Sequence, residues 1–187
     1  MLPKNEKNYN LILVQTGIPS SENCFLIDQL FIRLLNYLEH ENNYKEIIEI
    51  SYKPRNSNKI NEDFNKYKFL NIVKDKAEII NSKKKNLVLC GQTTLAYELR
   101  EAGAFVVGIS NKLSGPNDFP SIIFNDVTSI KEKSSTGEID NFFKFLFIKS
   151  EEYYKLNNKT KSVKKMSLDQ QHRRINIIID QIKNTTK

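Results

Sequence analysis

The stretch Asn86-Leu87-Val88-Leu89-Cys90-Gly91, a helical segment from about Thr94 to Ala102, and then Gly103-Ala104-Phe105-Val106-Val107-Gly108-Ile109 constrain this chain more than any other part of it. A short apolar run stopped by glycine reads as a strand buried on both faces. Strand, helix and second apolar strand in that order make a β–α–β unit, which places the two strands parallel in one sheet. Gly103 suits the end of the helix, because glycine alone takes the left-handed conformation without steric cost.

The same alternation runs through the rest of residues 1–150. Leu11–Thr16 is an apolar strand ended by Gly17 and Pro19. Ser20 or Ser21 can cap the next helix, with Glu22 favourable in its first turn. Ile27, Leu30, Phe31, Leu34, Leu35 and Leu38 recur at three- and four-residue steps, so that helix buries one face against a sheet. Ile47–Tyr52 is a β-branched strand stopped by Lys53-Pro54-Arg55-Asn56. Residues 56–66 are polar and read as loop, Phe69–Val73 as a short strand, Asp75–Ser82 as a short helix, and Lys83–Lys85 as a solvated turn. Ser121–Phe124 is expected to add a last strand. Ile139, Phe142, Phe143, Leu146 and Phe147 stripe a helix over roughly 138–149. Together these imply a Rossmann-like α/β domain, a parallel sheet with helices on both faces, over residues 1–150. Residues 151–187 follow as a basic connector, 151–165, and a C-terminal amphipathic helix striped by Leu168, His172, Ile175, Ile179 and Ile182.

Composition narrows the function classes. No run of eighteen apolar residues occurs, the length a membrane-crossing helix needs. The first ten residues are polar and of mixed charge, unlike a secretory leader. Two cysteines, Cys24 and Cys90, lie in apolar runs and read as reduced core residues of a cytoplasmic protein. They and two scattered histidines make no zinc-ligand pattern. His40, between Glu39 and Glu41, reads as a surface residue. The net charge of +7 is concentrated: residues 1–150 hold 20 basic and 18 acidic groups, residues 151–187 hold 9 and 4. The 24 lysines, 22 asparagines and 22 isoleucines fit a compositional bias filling exposed positions as well as they fit an anionic partner.

In an open parallel sheet, ligands sit at the carboxyl ends of the strands. Three loops qualify. Gly91-Gln92-Thr93-Thr94 joins a buried strand to a helix N-terminus, where free N–H groups and hydroxyls suit a phosphate. Glu98, one turn on, can accept from ribose hydroxyls. The alternative is that Thr93 only caps the helix and Glu98 is a surface charge. Lys53-Pro54-Arg55 offers two cations on a stiffened strand exit, for phosphate or carboxylate, or is a charged turn. Gln15-Thr16-Gly17 allows close backbone approach to a ligand, or is an ordinary turn. No Gly-x-Gly-x-x-Gly follows the first strand and there is no Walker loop, so dinucleotide and ATP-hydrolase readings lose support. No nucleophile–base pair stands out.

The order of these pieces resembles a known family. The strand ending in Tyr52-Lys53-Pro54-Arg55, the strand leading to Thr93-Thr94, the helix carrying Glu98, and Gly103 before the next strand look like the C-terminal half of a GT-B glycosyltransferase. The likeness is to bacterial sialyltransferases and polysialyltransferases of lipooligosaccharide and capsule, and it covers roughly residues 10–125. It implies a CMP- or UDP-activated sugar as donor substrate, with no further cofactor. It places Thr93, Thr94 and the N–H groups near Gln92 on phosphate, Glu98 on ribose, and Lys53 and Arg55 on the diphosphate or the sugar carboxylate; the strand-exit loops add Thr16, Gly17 and Gly91 as candidate substrate contacts. Arg55 directly follows Pro54, so the His-Pro of the family's Lys-Pro-His-Pro-Arg-like motif is absent. A GT-B enzyme has two Rossmann halves, so a second half-domain is an expected partner. A non-catalytic interaction or nucleotide-binding domain is the alternative.

The tail has its own reading. Residues 155–174 carry seven basic groups against Asp169 alone. A basic segment feeding an amphipathic helix, residues 155–182, suits the anionic inner surface of a membrane. The alternative is that its stripe packs on the domain or on a partner half. Nucleic acid is the least expected partner, since only Tyr153 and Tyr154 offer stacking rings among these cations.

Overall fold

The computed structural model describes residues 7–16, 22–40, 44, 46–55, 61–75, 78–81, 83–91, 93–109 and 124–161, with 22–25 and 158–161 described in backbone alone. Six strands form one sheet: β1 (Tyr9–Val14), β2 (Ile48–Lys53), β3 (Leu70–Ile72), β4 (Lys85–Cys90), β5 (Phe105–Ile109) and β6 (Asp126–Thr128). They lie in the order β3-β2-β1-β4-β5-β6, every neighbouring pair parallel. The chain builds outward from β1 through β2 and β3, then returns to β4 and builds the other way. The direction therefore reverses between β1 and β4. The chain is a Rossmann-like α/β domain, as its alternating segments imply.

Side chains alternate between faces along each strand, and the register sets Val14 beside Lys53 and Cys90, and Leu13 beside Tyr52 and Leu89. One face carries Ile12, Val14, Val88, Cys90 and Val106. It is covered by Ala96 and Leu99 of α2 (Thr94–Glu101) and by Val73 and Ile79 from the β3–β4 connection. The other face meets α1 (Glu22–His40) and α3 (Thr136–Lys161). Phe31 of α1 sets its ring edge against Tyr52 at 6.3 Å, and Phe147 of α3 does the same to Tyr9 at 4.9 Å. All six residues of the α1 stripe are buried. The two helices meet through Tyr37 stacked on Phe143 at 5.7 Å, and the Tyr37 and Tyr44 hydroxyls both donate to Asp140.

Near the amino end of the sheet a polar ladder crosses the core. The Asn10 Nδ2 donates to Asn86 Oδ1 at 3.0 Å and to the Ile79 carbonyl at 3.1 Å, while its Oδ1 accepts from Ser51 Oγ at 3.1 Å. Asn10, Ser51 and Asn86 are all buried, and each bond avoids the roughly 1–3 kcal/mol cost of an unmet polar group.

Three local expectations are corrected, and a fourth lies mostly outside the described residues. Residues 62–66 are not loop but a 3₁₀ helix capped by Asn61, because Phe64 is only 1% exposed and stacks on Tyr52 at 4.1 Å. Within 75–82, Glu78 is 3₁₀ and the described residues 79–81 are not helical. Asn86 takes the Asn81 N–H and carbonyl with its side chain, closing a turn instead. The strand expected at 121–124 lies outside the described residues except for Phe124. The strand beside β5 is Asp126–Thr128, with Asn125 exchanging bonds with Val106 just before it. Finally, α3 starts two residues before 138 and continues to Lys161, so 151–161 is helix rather than connector. No proline or glycine interrupts that stretch, and once nucleated a helix of ordinary formers propagates without an apolar stripe. Its start is a capping box: Ser135 and Glu138 exchange bonds, with Glu138 Oε2 accepting from the Ser135 N–H at 2.6 Å.

By its internal contacts the chain divides into residues 1–151 and 152–187. The described part of the second unit is helical, with Tyr153 and Tyr154 edge to face at 5.1 Å and Leu156 exposed. The helix expected over 168–182 lies outside the described residues. Among the described residues, no helix is long and apolar enough to cross a membrane.

Candidate functional site

Reversal of strand order leaves a crevice at the carboxyl ends of the strands about the switch point, here between β1 and β4. The seam itself is closed by Thr16 and Gly91. Thr16 is buried and its Oγ1 accepts from the Gly91 N–H at 3.2 Å. A Cβ on Gly91 would stand well under 3.0 Å from that oxygen and 3.1 Å from Ile27 Cδ1. Glycine is needed here for space. At Gly103, by contrast, φ is +92° with nothing near, so glycine is needed there for conformation.

Beside the seam, on the face covered by α2, lies a cleft of about 580 Å³ lined by Lys53, Lys74, Asp75, Thr94, Leu95 and Glu98. Each wall has a structural cause. Lys53 is the last residue of β2 and shares the face of Val14 through its register. Its Nζ donates to the Pro54 carbonyl at 3.0 Å, which uses one of the three protons of an ammonium. Lys74 and Asp75 follow β3 directly, where the Val73 N–H donates to the Tyr52 carbonyl and anchors the exit beside β2. Thr94, Leu95 and Glu98 are the first two turns of α2, and Thr93 caps that helix by accepting from the Leu95 N–H at 3.3 Å.

The sequence-derived residues thus separate into three groups. Lys53, Thr94 and Glu98 share the cleft. Thr16 and Gly91 form the packed seam, and Thr93 spends its oxygen on the cap. Arg55 has an exposed side chain and is not among the lining residues, while Gly17 and Gln92 lie outside the described residues. Lys74 and Asp75 were not expected. The rule that selected the exits of β1, β2 and β4 selects them as well, once it is applied to the short strand ending at Val73.

Chemically, the cleft offers two ammonium groups, a hydroxyl and a helix N-terminus to an anion, and two carboxylates to hydroxyl donors. Behind it, on the other face of the sheet, sits a buried acid that no motif signalled. Asp28 of α1 is 6% exposed, accepting from Gln15 Nε2 at 2.8 Å and from the Tyr52 hydroxyl at 3.1 Å. Burial raises its pKa to about 6, against the lowering effect of those two bonds. Its only sequence signal is an acid bordering the apolar stripe of α1, next to Ile27. Cys90 is fully buried, and burial pushes its thiol up to about 12, which removes it as a nucleophile. His40 is exposed at the end of α1, as expected.

Family models, curated proteins and solved structures were each searched, and none matches this chain.

Proposed function

We propose that the cleft is a nucleotide-binding site, with phosphate held between Lys53, Lys74 and the N-terminus of α2, and ribose hydroxyls donated to Glu98. The observation that carries this reading is the convergence of Lys53, Thr94 and Glu98, from segments more than forty residues apart, on one cleft with a second lysine. A parallel sheet with a strand-order reversal is also the setting in which nucleotides bind beyond the carboxyl strand ends. The motifs at Lys53-Pro54 and Thr93-Thr94 extend the proposal to a CMP- or UDP-activated sugar, in a sialyltransferase-like donor-binding half. On that reading transfer to a glycan acceptor requires a second half-domain, and fixed charges stabilise the departing nucleotide.

A second reading is binding without transfer. Arg55 stands where the resembled motif carries histidine and proline, and its side chain is off the cleft wall.

Calorimetric titration with CMP, UDP and their sugar conjugates tests the proposal. Saturable binding is expected, weakened about tenfold or more by Lys53→Ala or Lys74→Ala, since a bond to a charged group contributes roughly 1.5–3 kcal/mol. No saturable binding of any of them at millimolar concentration would sink it. Sugar-nucleotide turnover with the second half-domain present, or its absence, separates the two readings.

A further inference from the structure

We infer that Asp28 is a positioning residue for the cleft: its carboxylate sets the orientation of the Gln15 amide, and that amide holds the exit of β2. The inference rests on the reading of the cleft for its consequence, while its geometry stands without any ligand.

Gln15 brackets Pro54 from both sides. Its backbone N–H donates to the Lys53 carbonyl at 3.0 Å, and its Oε1 accepts from the Arg55 N–H at 3.1 Å. Pro54 has no N–H to offer, so among the described residues the Arg55 amide is the first backbone donor beyond Lys53 with which the exit can be fastened. Gln15 can accept there only if its NH₂ points the other way. An ionised carboxylate accepts and never donates, so Asp28 Oδ2 imposes that orientation on the amide. Asp28 Oδ1 takes the Tyr52 hydroxyl, and the Tyr52 carbonyl in turn takes the Val73 N–H. The carboxylate is therefore held from the β1 side and from β2 at once.

Protonation alters this chain of bonds. A neutral carboxyl is a weaker acceptor for the Gln15 NH₂, and hydrogen bonds in series polarise one another. The loss is transmitted through the amide to the Arg55 N–H. The groups facing Asp28 are the Gln15 amide on the β1 side and the Tyr52 phenol on β2. Lys53 is the last residue of β2 and Arg55 lies just beyond it, and the exposed Glu62, Asp63 and Lys66 lie on the 3₁₀ helix that covers Tyr52. Among the described residues none of these charges is ion-paired with Asp28. The carboxyl titrates within reach of neutral pH, near 6.

The test is a pH titration of the full chain, labelled with ¹⁵N and ¹³C, followed by NMR from pH 4.5 to 8. The Arg55 amide proton is expected to move upfield on acidification, on one curve whose midpoint near 6 matches that of the Asp28 carboxyl carbon. Asp28→Asn should abolish that movement. If Asp28→Asn does not fold, Gln15→Met serves: Asp28 should still titrate while Arg55 becomes flat. An Arg55 amide that is flat in the parent chain, or that keeps its midpoint in either variant, overturns the inference. A chain that binds no nucleotide can still show the coupled titration, so failure here and failure of the nucleotide reading are distinguishable.

Discussion

Adding one methyl group at Gly91 perturbs the seam between β1 and β4 in a way the structure makes quantitative. The new Cβ would overlap Thr16 Oγ1, and Thr16 is 2% exposed, so its side chain cannot swing into solvent. Overpacking of this kind costs about 1–3 kcal/mol. Thr16→Ala alone removes the acceptor of the Gly91 N–H and strands a buried donor, for about 1–3 kcal/mol. The double variant is the informative one. With Oγ1 gone, the nearest atoms to the added Cβ become Ile27 Cδ1 at 3.1 Å and the Cβ of position 16 at 3.5 Å. The first needs a shift of a few tenths of an ångström at a flexible chain end, and the second is an ordinary contact. Gly91→Ala should then cost little in the Thr16→Ala background, a coupling of about −1 to −3 kcal/mol. Urea denaturation of the four chains measures it. Single-variant costs that add to within about 0.5 kcal/mol would refute the claim that Gly91 is glycine because Thr16 occupies its side-chain space.

Phe64→Ala should cost about 3–5 kcal/mol, because it empties a site under Tyr52; a loss below about 1 kcal/mol in urea would mean the 3₁₀ segment is not part of the core. Asp28 has its folded pKa raised to about 6, so its contribution is fully present below about pH 3.9 and is lost as pH rises through 6. Relative to Asp28→Asn, the parent chain should therefore lose up to about 3 kcal/mol between pH 4 and pH 7, a difference that a pH-independent gap between the two denaturation series would disprove. If Asp28 positions the cleft, this is stability given up for function. In a Cys24→Ser chain, Cys90 should resist iodoacetamide at pH 8 until urea unfolds the protein, and rapid labelling of the folded chain would show that β4 opens. Ser135→Ala breaks the capping box of α3 and should lower stability by about 1 kcal/mol, with no change in nucleotide affinity.

The alternation of apolar strands and striped helices determined the fold class by itself, because strand and helix periodicities are local and each buried face needs a covering layer. The β4–α2–β5 unit was legible almost to the residue, since Thr93 and Gly103 act on their immediate neighbours, whereas the reason for Gly91 is the distant Thr16. Tertiary structure alone decided the rest. Phe64 looks like a stray aromatic in a polar stretch until Tyr52 comes beneath it. The helix α3 outruns its stripe because an exposed helix needs no apolar face to continue. Lys74 reaches the cleft only because β3 pairs with β2, and Arg55 leaves it although it stands two residues from Lys53. Asp28 reads as an ordinary helix acid, and becomes a buried one because Gln15 and Tyr52 arrive from two different strands. These are contacts between distant segments, and their energy depends on strand order and register, which local pattern does not encode.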